Sequence, residues 1–198
     1  MGIRMNQFSW GQVNLIRPVF IETGTYKGET LENARRAGYG LLFSIECVPD
    51  YYTDACEKFK KYPNVTIWYG SSPDILPKIV TWITPSVFWL DAHFQGGDIK
   101  EQAYKHGQCP LLAELAVIFS KKWMKLPIIL IDDAHMFLKT VPTNFESLEW
   151  PTYDEIKDRL PPGYSVSGRI EKNKLEVGPW PKNGEDNVLY CIPDAEIK

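Results

Sequence analysis

Cysteine and histidine are scarce: four and three among 198 residues. The cysteines (Cys47, Cys56, Cys109, Cys191) form no CxxC pair, which removes zinc-ribbon and thioredoxin-like readings and offers no disulfide framework. Small buried thiols in a reducing compartment suit this usage. No stretch approaches the eighteen or so apolar residues that a membrane span needs. An excess of either charge is missing too. A net charge of -3 and a pI near 5.7 give no electrostatic reason to expect a nucleic-acid or membrane partner. The opening MGIRMNQFSWGQVNLIRPVF has no apolar segment of signal-peptide length, and Asn6 stands where the myristoylation pattern needs Ser or Thr. The expectation is a cytoplasmic protein. GxGxxG and GxxxxGK[ST] are also absent, so dinucleotide and P-loop phosphate readings lack their key residues.

What is present is an alternation. Apolar strand-like runs at 17–23, 39–46, 64–70, 86–93 and 126–135 are separated by helical stretches at 24–38, 47–63, 71–83 and 109–124. Alternation over some 130 residues predicts an α/β fold: a Rossmann-like, doubly wound, mostly parallel sheet of about seven strands. The strands are nearly continuous in apolar character, as a sheet buried on both faces requires. After residue 150 the rhythm changes to a helix, a Pro-Pro-Gly turn and two closing strands, the second at 186–193, which predicts a C-terminal antiparallel hairpin. The whole chain, 1–198, reads as one domain, its first half at about 17–90 and its second at about 91–198. The polar insert 94–108 is long for a strand-to-helix connection, and loops of that length are usually functional or mobile.

Chemistry gathers at the strand ends, where open parallel sheets bind ligands. Glu22 and Gly24 end the first run, Glu46 the second, and Ser71 and Ser72 follow the third. SVFWLDAH (86–93) and IILIDDAH (128–135) then finish alike, presenting Asp91 with His93 and Asp132, Asp133 with His135. Gly24 and Gly28 allow a tight turn and close backbone approach to a ligand. Glu46 can accept both hydroxyls of a ribose. Asp91, Asp132 and Asp133 repel one another unless a cation neutralises them, and oxygen ligands favour Mg²⁺, Ca²⁺ or Mn²⁺. His93, with an ordinary pKa near 6.5, suits the base that takes a proton from an acceptor.

VFIETGTYKGETL, FSIECVPDYY, VTIWYGSSPDIL and the aspartate after the fourth strand resemble, in order, the motifs of class I S-adenosylmethionine-dependent methyltransferases over about 17–135. The resemblance implies that Glu22, Thr23, Gly24, Thr25 and Gly28 wrap the methionine part of the cofactor. Glu46 with Cys47 would hold the ribose, and Ser71 and Ser72 would border the adenine. The turn reads GxxxG instead of the common GxGxG, and Ser71 stands where many relatives have an aspartate. Asp91, Asp132 and Asp133 further resemble the three-carboxylate metal site of sugar O-methyltransferases of the macrocin O-methyltransferase type. That implies Mg²⁺-assisted O-methylation of a sugar or other polyhydroxylated small molecule, with His93 and Asp91 catalytic and Asp91 also beside the cofactor.

Two alternatives stay open. A metal-dependent hydrolase would use Asp91, His93, Asp132, Asp133 and His135 to activate water. A non-catalytic nucleotide-binding module would keep Glu22, Gly24 and Glu46 and gain nothing from the carboxylates. His135 is expected to pack, and His106 to be solvent-exposed. Trp68, Trp82, Trp89 and Trp123 are expected in the core, with Trp150 and Trp180 as candidates to line an acceptor pocket. A homo-oligomer that completes the pocket is compatible with the sequence.

Overall fold

The computed structural model describes residues 17–80, 86–93, 106–137, 150–168 and 188–196. The apolar runs become strands because burial on both faces leaves interstrand pairing as the outlet for their backbone polar groups. Every residue is buried in β1 (Val19–Thr23), β4 (Ser86–Leu90) and β5 (Ile128–Ile131). Beside them lie β2 (Leu41–Glu46) and the half-exposed edge strand β3 (Val65–Tyr69). With β6 (Tyr164–Gly168) and β7 (Leu189–Pro193) they form one sheet in the order β3-β2-β1-β4-β5-β7-β6. The first five strands are parallel, and β7 runs antiparallel to both β5 and β6. This is the doubly wound sheet with a terminal antiparallel pair that the sequence predicts. The fifth strand stops earlier than its apolar run suggests: it ends at Ile131, and Ala134–Phe137 form a 3-10 turn.

The helices carry local signals for their ends. In α1 (Glu29–Arg36), acids occupy the first turn and arginines the last, matching the helix dipole, and Glu32 pairs with Arg35 and Arg36. Pro49 opens α2 (Pro49–Phe59), where its missing N–H costs nothing. A capping box between Thr152 and Glu155 starts the short α5 (Tyr153–Arg159). Between them come α3 (Ser72–Val80) and α4 (Leu111–Ser120). Alternation along each strand divides the core in two. Val19, Ile21, Phe88 and Leu90 pack with Ile75 and Leu76 of α3, Leu115 and Ile118 of α4, and Ile156 of α5. Phe20, Leu42, Val87 and Trp89 pack on the opposite face with Leu31 of α1 and Phe59 of α2. Trp89 is fully buried and Trp68 and Trp123 are partly buried against the core, as expected, whereas Trp82 lies outside the described residues. Among the described residues no helix is long and apolar enough to cross a membrane.

Chain order reverses between β1 and β4, which places a ligand crevice beyond their carboxyl ends. The strand ends are drawn together there. The Gly24 N–H donates to the Ile45 carbonyl at 2.9 Å, and the Asp91 N–H to the Thr23 carbonyl at 3.0 Å. Gly24 has φ +82°, and a methyl group on it would lie 2.3 Å from the Asp91 carbonyl oxygen. Gly24→Ala therefore combines a left-handed backbone with a clash against main chain. It is expected to cost roughly 2–3 kcal/mol or more. Urea unfolding would check this, and a midpoint equal to wild type would refute the close approach.

Candidate functional site

The glycine turn is built over a polar core. Glu22 is buried beneath it at 1% exposure, with Thr23 at 0% and Thr25 at 3%. Ser44 Oγ donates to Glu22 Oε2 at 2.5 Å, which leaves Thr25 Oγ1 as the donor to Ser44 Oγ at 2.6 Å. Burial raises the Glu22 carboxyl well above its ordinary range; the Ser44 bond opposes the rise, and the Asp91 and Glu46 charges add to it. These side chains, expected at the cofactor, hold the turn from below. The outer surface of the turn is left to its backbone and to the exposed Tyr26 and Lys27.

Glu46 closes β2 with both oxygens engaged: Oε2 accepts from the Tyr26 N–H and Oε1 from the Val48 N–H, each at 2.8 Å. A carboxylate has about four acceptor sites, so the two N–H groups leave spare capacity, which the adjacent Cys47 thiol shares. Tyr26, forced to φ +45°, is 46% exposed, and Tyr69, opposite Glu46 in the β2–β3 register, is 51% exposed. Tyr26 packs edge-on against Tyr51 (4.8 Å), and Tyr69 rests against Tyr52 (5.3 Å). Cys47 and Ser71 are half-buried nearby in sequence, whereas Ser72 is sealed in the first turn of α3. The exposed tyrosines were not singled out in the sequence. Their position beside a strand-ending acid is the signal that marks them.

The second cluster answers why two strands end in Asp and His. His93 Nε2 lies 2.9 Å from Asp91 Oδ1 and 3.0 Å from Asp133 Oδ2, with the ring only 6% exposed. Both contacts are within hydrogen-bond range, yet neither is in line with the ring N–H, so they are ion pairs to a shared proton-bearing nitrogen. Burial alone would depress the imidazole pKa. The Asp133 and Asp91 carboxylates outweigh it and raise the value to about 10. At neutral pH His93 is thus a resident cation, not the free base expected from its ordinary pKa. Asp133 reaches it from a left-handed backbone at φ +51°. Asp132 turns aside: its Oδ1 accepts the Asp133 N–H at 2.8 Å, and burial, with the Asp91 and Asp133 charges, pushes its pKa up to about 8. The triplet is therefore split, and the imidazolium sits between the two carboxylates that would face a metal. Among the described residues no group of three or more His, Cys, Asp or Glu side chains is arranged to hold a metal ion.

Trp150 packs on this cluster, its ring 4.8 Å from His93 and 5.5 Å from Phe137. His106, expected in solvent, lies 3.1 Å from Asp74 in the first turn of α3. The His135 side chain, Trp180 and residues 94–105 of the insert lie outside the described residues. One functional candidate escaped the sequence reading. Glu114, in the first turn of α4, is 1% exposed, and burial pushes its carboxyl up to about 7, tempered by the nearby Ser72 and Thr23 hydroxyls. Its Oε1 nonetheless makes no hydrogen bond, nor does Ser72 Oγ.

No protein-family profile matches the chain, and no curated protein matches its sequence. Solved structures do match. An O-methyltransferase from Bacillus cereus, in complex with SAH, superposes with a TM-score of 0.60 at 14% identity, over 93% of this chain and 78% of that one. A proposed caffeoyl-CoA O-methyltransferase from Staphylococcus aureus gives 0.60 at 13% identity, over 98% and 85%. A precorrin-6y C5,15-methyltransferase from Geobacter metallireducens gives 0.50 at 16%, over 92% and 82%. At these identities the likeness defines the fold: the Rossmann-like sheet of methyltransferases.

The raised His93 pKa makes a stability claim. The folded protein holds a proton there between the ordinary value near 6.5 and about 10, so this contribution is complete below pH 6.5 and is lost as pH rises towards 10. Glu114, raised from 4.5 to about 7, acts in the same direction at lower pH, removing stability between those values. The urea midpoint is expected to fall from pH 6.5 to 10 in the wild type and to fall less in His93→Gln. Equal slopes in the two proteins would show that the imidazolium is not held as described.

Proposed function

We propose that the protein is an S-adenosylmethionine-dependent methyltransferase acting on an oxygen of a polyhydroxylated small molecule. The observation that carries the reading is Glu46: a strand-ending carboxylate with spare acceptor capacity, flanked by the exposed rings of Tyr26 and Tyr69, next to a glycine turn. That donor and acceptor set fits a ribose diol with a flat base beside it. S-adenosylmethionine, when bound, supplies an electrophilic methyl group, and direct displacement of this kind gains most from positioning. The O-methyltransferases among the similar folds support the same class. The carbon-methylating relative leaves the acceptor to be argued from this chain's own residues.

Those residues are Asp91 and Asp133. Asp133 is the more exposed, at 31%, so it is the carboxylate that meets an acceptor hydroxyl, accepting its hydrogen bond and then its proton. The His93 imidazolium lies against both acids without being spent as the base. Magnesium, expected from three carboxylates, does not fit the side chains as arranged, because His93 Nε2 faces the oxygens that would hold it and one Asp132 oxygen is committed to backbone.

Calorimetric titration with S-adenosylmethionine and its demethylated product, in EDTA and then in excess Mg²⁺, tests the reading. Binding is expected in both conditions, and Glu46→Gln is expected to weaken it about tenfold, about 1.4 kcal/mol. Failure to bind in either condition would overturn the assignment. With a hydroxylated acceptor in hand, Asp133→Asn, which tolerates the same left-handed backbone, is expected to lower turnover at least ~100-fold. Cofactor affinity should be spared, and an active Asp133→Asn enzyme would remove the acid from its role.

A further inference from the structure

A small cavity lies behind the His93 ring, between the ends of β4 and β5 and the first turn of α4. Its volume is about 10 Å³, and its walls include Leu90, Ile131, Phe137, His93 and Glu114. Apolar side chains make up much of the lining. Three polar atoms of the side chains that line it are buried without a hydrogen-bond partner: His93 Nε2, ion-paired as above, His93 Nδ1 and Glu114 Oε1. The last two are complementary. The ring places Nε2 near the carboxylates of Asp91 and Asp133, so Nδ1 is the nitrogen left for a water in the cavity. Glu114 Oε1 is an acceptor. Buried polar atoms are rarely left unpaired, and a cavity of this size that presents such atoms has room for one water.

We propose that a single water in this cavity joins His93 Nδ1 to Glu114 Oε1, which makes Glu114 the positioning residue for the His93 ring. The ring is then fixed at both nitrogens, by two carboxylates in front and by a helix-borne carboxyl group behind. Glu114 is suited to this because α4 is packed in the core through Leu111, Leu115 and Ile118, so its own place is rigid. Trp150 packs against the ring and is itself backed by Phe137. The role does not rest on the methyl-transfer reading, because every readout below is of the protein alone.

Two measurements test it. The three histidines permit nitrogen-15 NMR of the ring N–H groups, with His106→Gln and His135→Gln variants to assign His93. A slowly exchanging Nδ1–H signal with a cross-peak to bound water is expected in the wild type. Glu114→Gln, whose amide oxygen still accepts from the water, should retain the signal, and Glu114→Leu should lose it. Persistence in Glu114→Leu would overturn the proposal. Should Glu114→Leu fail to fold, a high-resolution crystal structure of the wild type decides alone. Density for one water within hydrogen-bond distance of both atoms supports the bridge, and a dry cavity overturns it.

Discussion

Everything at the carboxyl edge of the sheet depends on one close approach, that of the Gly24 main chain to the Asp91 carbonyl. Where chain order reverses, two neighbouring strands would otherwise diverge into separate loops. Here the turn after β1 lies directly on the end of β4, because a residue without Cβ lets backbone meet backbone. The hydrogen bonds from Gly24 to Ile45 and from Asp91 to Thr23 then fix three strand ends relative to each other. The glycine turn, Glu46 and Asp91 inherit their geometry from that contact.

On this base the protein buries several acids, and each is managed differently. Glu22 takes hydroxyl hydrogen bonds through Ser44 and Thr25. Glu46 accepts backbone N–H groups. Asp91 and Asp133 share an imidazolium, and Asp132 caps its own neighbour. Mutual repulsion among carboxylates is thereby absorbed by donors already in the fold. The price is local strain, carried at the non-glycine left-handed residues Tyr26 and Asp133.

The strands, their parallel order and the gathering of acids at their ends were legible because period, burial and chain order are local properties of sequence. Boundaries were less so: Asp132 and Asp133 belong to a turn, and an apolar run cannot announce where pairing stops. The partners of His93 were also hidden. An Asp-x-His spacing does not say which way the ring faces, and the Asp133 contribution depends on a left-handed residue that no composition signals. Glu114 had a readable mark that was passed over. Leu111, Glu114, Leu115 and Ile118 share one helical stripe, so an acid stands in a core position. The exposed tyrosines at 26 and 69 lay among ordinary surface aromatics until the β2–β3 register set Tyr69 opposite Glu46.

The placement of β7 has a consequence for synthesis. This strand fills the slot between β5 and β6, so β5 has an open edge on one side until residues 189–193 exist. Nearly sixty residues separate Ile131 from Leu189, roughly 3–12 s at ~5–20 residues per second on the ribosome. For that interval the nascent chain displays an apolar strand with one unpaired edge beside its half-made site. Until β7 arrives, the helices on either face would be the shield against aggregation.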